Sequence, residues 1–237
     1  MPLNDYILIG CLCLAGIASV WAGTLQALAG VAGVLVSIAI YKGTGYTGLI
    51  CLAVFFLLGT LATKWQIHKK QQLGLAEQNK GKRNAGQVMA NAAMAGILGL
   101  FAWLFPVYAS ECTLLVAACF SSATADTLSS EMGNLYGKHL YNILSFKKDI
   151  RGQNGVVSLE GTMCGLAGSS VIALIHAAGM GWHTGQFIII VIAGTVGNLV
   201  DSLLGASLER KHIIGNNIVN FLNTFAAALV AWLCLFL

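Results

Sequence analysis

Apolar stretches long enough to cross a bilayer follow one another along almost the whole chain, and this leaves few folds open to it. Hydropathy marks eight of them, at 5–21, 24–41, 46–63, 86–105, 111–130, 156–178, 184–205 and 216–236. A helix of about 17 to 25 apolar residues spans the hydrocarbon core, and within lipid each spanning segment has to satisfy its own backbone polar groups. The expected fold is all-α, a polytopic transmembrane helix bundle of about seven or eight spans. The first pair is the least distinct, because Trp21-Ala22-Gly23-Thr24 is a very short turn. Only 9% of residues are charged and 57% are hydrophobic, where a soluble domain carries about 25% charge. Residues 1–237 are expected to form a single integral membrane domain without a soluble appendage. The first apolar segment lacks the basic flank of a cleavable signal peptide and runs straight into a second.

The polar connections are 64–85, 131–155 and 206–215, and they hold nearly all the positive charge. Lys64, Lys69, Lys70, Lys80, Lys82 and Arg83 lie in the first, Lys138, Lys147, Lys148 and Arg151 in the second, and Arg210 and Lys211 in the third. Lys42 alone falls on the other side. The positive-inside rule assigns these loops to the cytoplasm and both termini to the outside. The net charge of +4 thus reflects topology, and it gives no reason to expect a nucleic-acid partner. The seven cysteines are scattered through apolar segments with no metal or disulfide spacing and read as small buried hydrophobes. The five histidines share no spacing and receive no role.

Against that background the carboxylates stand out. Asp126, Glu131, Asp149, Glu160, Asp201 and Glu209, six of nine in the chain, lie in or beside apolar helices. Charge at membrane depth is costly and is kept in bundle interiors or wet cavities, where it handles ions or chemistry. Asp126 and Glu131 are five residues apart, about 140° around a regular helix. They could share a site if that helix ended near Ser130, with Gly133 as its terminator. Asp201 lies on a face with Gly194, Gly197, Asn198 and Gly205, so it faces protein rather than lipid.

Two amide stripes start helices at the same membrane face. Asn84, Gln87 and Asn91 are spaced i, i+3, i+7, and so are Asn216, Asn220 and Asn223, with Asn217 alongside. Such stripes either glue helices together or line a polar site. The run from Lys147-Lys148 through Arg151, Gly152 and Gly155 to Ser158 is basic, then glycine-bearing, then enters a helix. That order suits a phosphate group, although it also serves as a topogenic signal. Acids for Mg²⁺ beside bases for phosphate are what phosphoryl transfer requires. No P-loop, paired-aspartate prenyltransferase motif or serine elbow is present.

Five of these runs, taken in order, resemble one membrane family. They are Arg83–Asn91, Ala125–Gly133, Gly155–Thr162, Gly194–Ala206 and Asn217–Phe221. The family is catalogued as domain of unknown function ninety-two, and it includes transmembrane protein nineteen and the plant and cyanobacterial phytyl-phosphate kinase. The resemblance covers roughly residues 20–235. It implies a kinase that moves a phosphoryl group from CTP or another nucleoside triphosphate to an isoprenoid monophosphate. On that reading Asp126, Glu131 and Asp201 are catalytic and hold Mg²⁺. Asn84, Gln87, Asn91, Lys147, Lys148, Arg151, Ser158, Asn217 and Asn220 contact phosphates and substrate. The lipid tail is expected to enter laterally between glycine-rich helices. The implied partners are the lipid monophosphate, the nucleotide and membrane lipids. Two alternatives stay open: an ion-coupled transporter using the intramembrane acids as relays, and a cytidylyltransferase-like lipid-phosphate enzyme.

Overall fold

A computed structural model describes residues 3–75 and 81–236; Lys80 of the first basic loop lies outside them. The described chain is helical, as expected from its apolar periodicity. It runs α1 (Leu3–Trp21), α2 (Ala27–Lys64), α3 (Ile67–Gln72), α4 (Ala85–Leu104), α5 (Ala109–Tyr136), β1 (Tyr141–Asn142), β2 (Val156–Val157), α6 (Leu159–Met180), α7 (Thr184–Leu204) and α8 (Asn216–Cys234). Among the described residues six helical segments are long and apolar enough to cross a membrane, and α1 is a shorter apolar helix beside them.

The 38 residues of α2 are two spans joined by a hinge. Gly45 breaks the helix at φ 64° and ψ −153°, a conformation that costs little only without a side chain. Arg83 shows that the chain reverses there. Its backbone pairs with the stretch before the first half, through Arg83 N–H to Thr24 O and Gln26 N–H to Arg83 O, both 2.9 Å. Its guanidinium lies over Phe55 and Phe56 in the second half, 5.4 and 5.8 Å from the ring centroids. A straight helix would hold those two regions about 45 Å apart at 1.5 Å per residue. The expected spans 24–41 and 46–63 are therefore the arms of a helical hairpin, and the eight expected segments all appear as helix.

The most enclosed helix is α5, which packs against α2, α4, α6, α7 and α8. Its sequence explains the position. From Thr113 to Ala125 every residue is buried, and most are Ala, Ser, Cys or Thr. Small residues let backbones approach, and in lipid this packing replaces the hydrophobic effect as the source of helix association. A methyl group on Gly165 of α6 would come within 2.9 Å of the Ala125 carbonyl oxygen. Gly194 and Gly197 of α7 lie equally close against Ser121 and Ser122. Ser121 Oγ also donates to Ile190 O at 3.0 Å, tying α5 to α7.

All described basic loop residues lie at one end of the bundle. Lys42 is at the other, paired with Asp5 at 2.5 Å. One boundary differs from expectation. The helix bearing Asp126 and Glu131 does not stop near Ser130 but continues to Tyr136, with Gly137 as its C-cap. Three residues explain the extension. Arg151 donates to the carbonyls of Gly133, Asn134 and Gly137 at 3.3, 2.7 and 2.6 Å, which satisfies the open end of the helix. Lys70 of the short helix α3 pairs with Glu131, and Tyr136 accepts from Nε1 of Trp65, the C-cap of α2, so the last turns are held from both sides.

Candidate functional site

At the basic end of the bundle a polar cavity of about 250 Å³ is enclosed by α4, α5, α6, α7, α8 and the 152–157 loop. Its floor is a carboxylate pair. Asp126 on α5 and Asp201 on α7 approach to within hydrogen-bonding reach of each other. Two carboxylates this close repel unless a proton or a cation lies between them. The close packing of α5 and α7 through Ser121, Ser122, Gly194 and Gly197 forces the pair together. Asp201 Oδ2 also accepts from Asn223 Nδ2 at 3.4 Å, and Ser122 Oγ donates to Asn223 Oδ1. This chain fixes the Asn223 amide so that its nitrogen faces the acid. Above it, Ser129 Oγ donates to Asn198 Oδ1 at 3.1 Å.

The other predicted site residues divide into two groups. Gln87, Asn91, Glu131, Ser158 and Asn220 line the same cavity as Asp126 and Asp201. Because α5 continues, Glu131 points away from the aspartates. It is buried and pairs with Lys70 at 2.5 Å, and Lys70 is itself 1% exposed and donates to the carbonyls of Ala62 and Thr63. Ser158 caps α6 by accepting from Gly161 N–H at 3.1 Å.

Asn84, Asn217, Lys147, Lys148 and Arg151 are not part of the lining. Asn84 forms a capping box with Gln87, with bonds of 2.9 and 3.0 Å, so its amide is used in starting α4. Asn217 lies against Gly86. Lys147 and Lys148 are exposed, and the Arg151 guanidinium is committed to the end of α5.

The 137–158 segment is a small built structure. Its strands pair Tyr141 with Val157 and Asn142 with Val156. Asp149 accepts from Ile150 N–H at 2.7 Å and Asn142 Nδ2 at 3.1 Å, and it pairs with Arg210 at 2.7 Å. Those bonds, the Ile150 amide first, hold its carboxyl below the usual range. The tether is complete at neutral pH and is lost only as pH falls through that lowered value. Gly155, at φ +72°, sits against Ala206 too closely for any side chain.

Several cavity residues were not among those assigned to the site from the sequence. Arg83 brings a guanidinium to the lining, and Asn216 and Asn154 line it too. Glu209 reaches it because Gly205–Glu209 is a π-helical turn, which re-aims the chain after α7. Asn198 was visible on the Asp201 face. Nothing in the sequence marks a π turn.

Removing the Arg151 cap gives a direct check on this geometry. Charge-assisted bonds are worth about 1.5–3 kcal/mol each when well made. Arg151→Ala is expected to lower the unfolding temperature in detergent and to speed amide exchange in residues 131–137. Unchanged exchange there would show that the cap carries no weight.

The fold and site define a class: a polytopic helical membrane protein with an aspartate pair at the bottom of an amide-lined cavity. The chain belongs to the integral membrane protein family DUF92, whose model matches residues 10–228. It is 32% identical over 203 residues to the chloroplastic protein VTE6 of Arabidopsis thaliana, a match covering 81% of this chain and 59% of that protein. It is 30% identical to an uncharacterized membrane protein of Synechocystis, over 83% of this chain and 77% of the relative. A further uncharacterized membrane protein, from Methanocaldococcus jannaschii, is 33% identical over 78% of this chain and 75% of the relative. No solved structure matches the chain at a significant level.

Proposed function

We propose that the protein is a membrane-embedded kinase transferring a phosphoryl group from a nucleoside triphosphate, CTP or another, to an isoprenoid monophosphate of the phytyl or polyprenyl type. The observation that carries this reading is the Asp126–Asp201 pair, which faces a polar cavity among helix starts and a glycine-bearing loop. The resemblance to a family that includes the phytyl-phosphate kinase supports it.

The donor set fits Mg²⁺. This ion is commonly held by one or two carboxylates, with substrate phosphates and waters completing the octahedron. Asp126 and Asp201 would supply those carboxylates. Among the described residues no three His, Cys, Asp or Glu side chains form a closed metal site, which suits an ion that arrives with the nucleotide. When bound, Mg²⁺ neutralises charge on the transferring phosphoryl group. Glu131, paired with Lys70, would help hold the end of α5 beside the cavity.

In the reaction an oxygen of the lipid monophosphate attacks the γ-phosphorus. The new P–O bond forms as the bond to the β-phosphate oxygen breaks, and the nucleoside diphosphate leaves with that electron pair. The attacking oxygen is already ionised, so no general base is needed. The protein's task is alignment and charge neutralisation. Arg83 and the amides of Gln87, Asn91, Asn216 and Asn220 surround the phosphates. Lys147 and Lys148 attract anions toward the mouth of the cavity from a distance, and Arg151 and Asn84 keep the walls in place.

The test is turnover by purified protein with Mg²⁺, labelled CTP or ATP, and phytyl, geranylgeranyl and farnesyl monophosphates. An isoprenyl diphosphate product is expected. Absence of both nucleotide binding and product would overturn the reading, and a product retaining the nucleotide would point to a cytidylyltransferase.

On this proposal the cavity opens to the cytoplasm, a reading supported by the grouping of basic residues at that end. Cysteines introduced at Gln71 and Ser145, both exposed, are expected to resist an impermeant thiol reagent in intact cells and to react after permeabilisation. Labelling of both in intact cells would reverse the orientation.

A further inference from the structure

The polar cavity has one wall that faces lipid. Leu166 on α6 and Leu199 on α7 line the cavity and are also 39% and 43% exposed on the outside of the bundle. Thr162 and Thr195 stand one turn before each leucine on the same faces and line it as well. Their hydroxyls donate to Ser158 O and Val191 O at 2.9 and 2.8 Å. Neither threonine therefore brings an unsatisfied group to the lipid.

This wall lies at membrane depth. Leu166 is seven residues into α6, about 10 Å from its start, and Leu199 lies about 15 Å before the end of the π turn. The level is that of the aspartates, because Gly165 meets both Ala125 and Asn198. A water-soluble substrate has no use for such an opening, whereas a phosphate head carried on a hydrocarbon chain does. The loop end of the same cavity, at Asn154 and Asn216, opens to water instead.

We infer that the cavity has two entrances. The lipid monophosphate slides in from the inner half of the bilayer between α6 and α7, with its tail passing out between Leu166 and Leu199, while the nucleotide enters from the loop end. This rests on the kinase reading for the identity of the head group.

The structure also holds a larger apolar groove, of about 690 Å³, between α4 and α8 near Phe101 and Trp232. It shares no lining residue with the cavity. A layer containing the fully buried Asn223, Thr224 and Ala227 closes the bundle between them. A tail in that groove could not keep its head at Asp126. The glycine contacts of α5 with α6 and α7 are likewise closed. The lateral route therefore runs past the leucines and not through the glycine seams.

Two measurements test the inference. In the first, Leu166→Trp, Leu199→Trp and the double variant are assayed in lipid nanodiscs with geranylgeranyl monophosphate. The double variant is expected to raise KM at least about tenfold, with Mg²⁺-nucleotide affinity unchanged. Met163→Trp, on the lipid face of α6 but outside the cavity lining, and Leu229→Trp in the groove are expected to match wild type. Thermal unfolding confirms that each variant is folded. An unchanged KM in the folded double variant, or a rise confined to Leu229→Trp, would overturn the inference.

In the second, a photoreactive residue at 166, 199 or 163 is irradiated with radiolabelled geranylgeranyl monophosphate. Capture at 166 and 199, but not 163, is expected to be competed by unlabelled monophosphate and not by the parent alcohol. Such capture without turnover would retain the entrance and discard the kinase. Capture that the monophosphate fails to compete would discard the entrance.

Discussion

Asp126→Asn and Asp201→Asn are each expected to abolish turnover, a loss of at least about 10³-fold, and to leave the protein as stable as wild type or more so. The magnitude follows from the role proposed for the pair. Preorganised charge at a phosphoryl centre is worth several kcal/mol of transition-state stabilisation, and an amide cannot replace a carboxylate toward a hard divalent cation. Stability moves the other way because the substitution removes one of two facing carboxylates and its desolvation cost, while shape is kept. Asn at either position can donate to the remaining carboxylate. Kinetics and thermal unfolding in the same detergent check both halves of the result. Near-normal turnover in both variants would remove the aspartates from the reaction. Loss of turnover together with loss of folding would make them structural.

Lys70→Met is expected to destabilise the protein by about 3–5 kcal/mol, the cost typical of leaving one partner of a buried ion pair uncompensated. Glu131 loses its counter-ion, and the carbonyls of Ala62 and Thr63 at the end of α2 lose their donor. The double variant Lys70→Met with Glu131→Gln recovers most of that loss, because both charges leave together and apolar or neutral replacements of buried pairs are often close to neutral. Chemical unfolding of the two variants in one detergent reads the difference. A single variant no less stable than the double would show that the pair contributes little. The double variant also isolates the chemistry of Glu131: turnover near wild type makes this carboxylate a positioning residue, and lost turnover in a folded protein makes it part of the charged wall that the reaction uses.

Membrane helices are unusually legible in sequence, and the eight apolar segments show why. Each has to satisfy its backbone bonds within itself, so length and composition are enough to locate it. Gly45 illustrates the limit. It turns the two expected spans back on one another with almost no loop, and the contacts of Arg83 with both arms show how tight the reversal is. The candidate site was partly legible for a related reason. A carboxylate in an apolar helix, as at Asp126 or Asp201, needs a special environment, so its presence alone marks a buried polar place. Which groups share that place is another matter, since it depends on elements far apart in the chain.

Composition and spacing by themselves determined the class of protein, the spans, the grouping of positive charge at one end and a set of carboxylates, Asp126, Glu131 and Asp201 foremost, as the residues that need explaining. Tertiary structure alone decided how the charges are shared out. Asp126 meets Asp201 because small residues let α5 and α7 close on each other. Glu131 turns to Lys70 because α5 runs on to Tyr136. Arg151, which resembles a phosphate ligand in sequence, is drawn to the open carbonyls at the end of that same helix. Glu209 joins the cavity through a π turn. Local patterns carry the cost of placing a group in lipid, but the partner that offsets it comes from the packing of other helices.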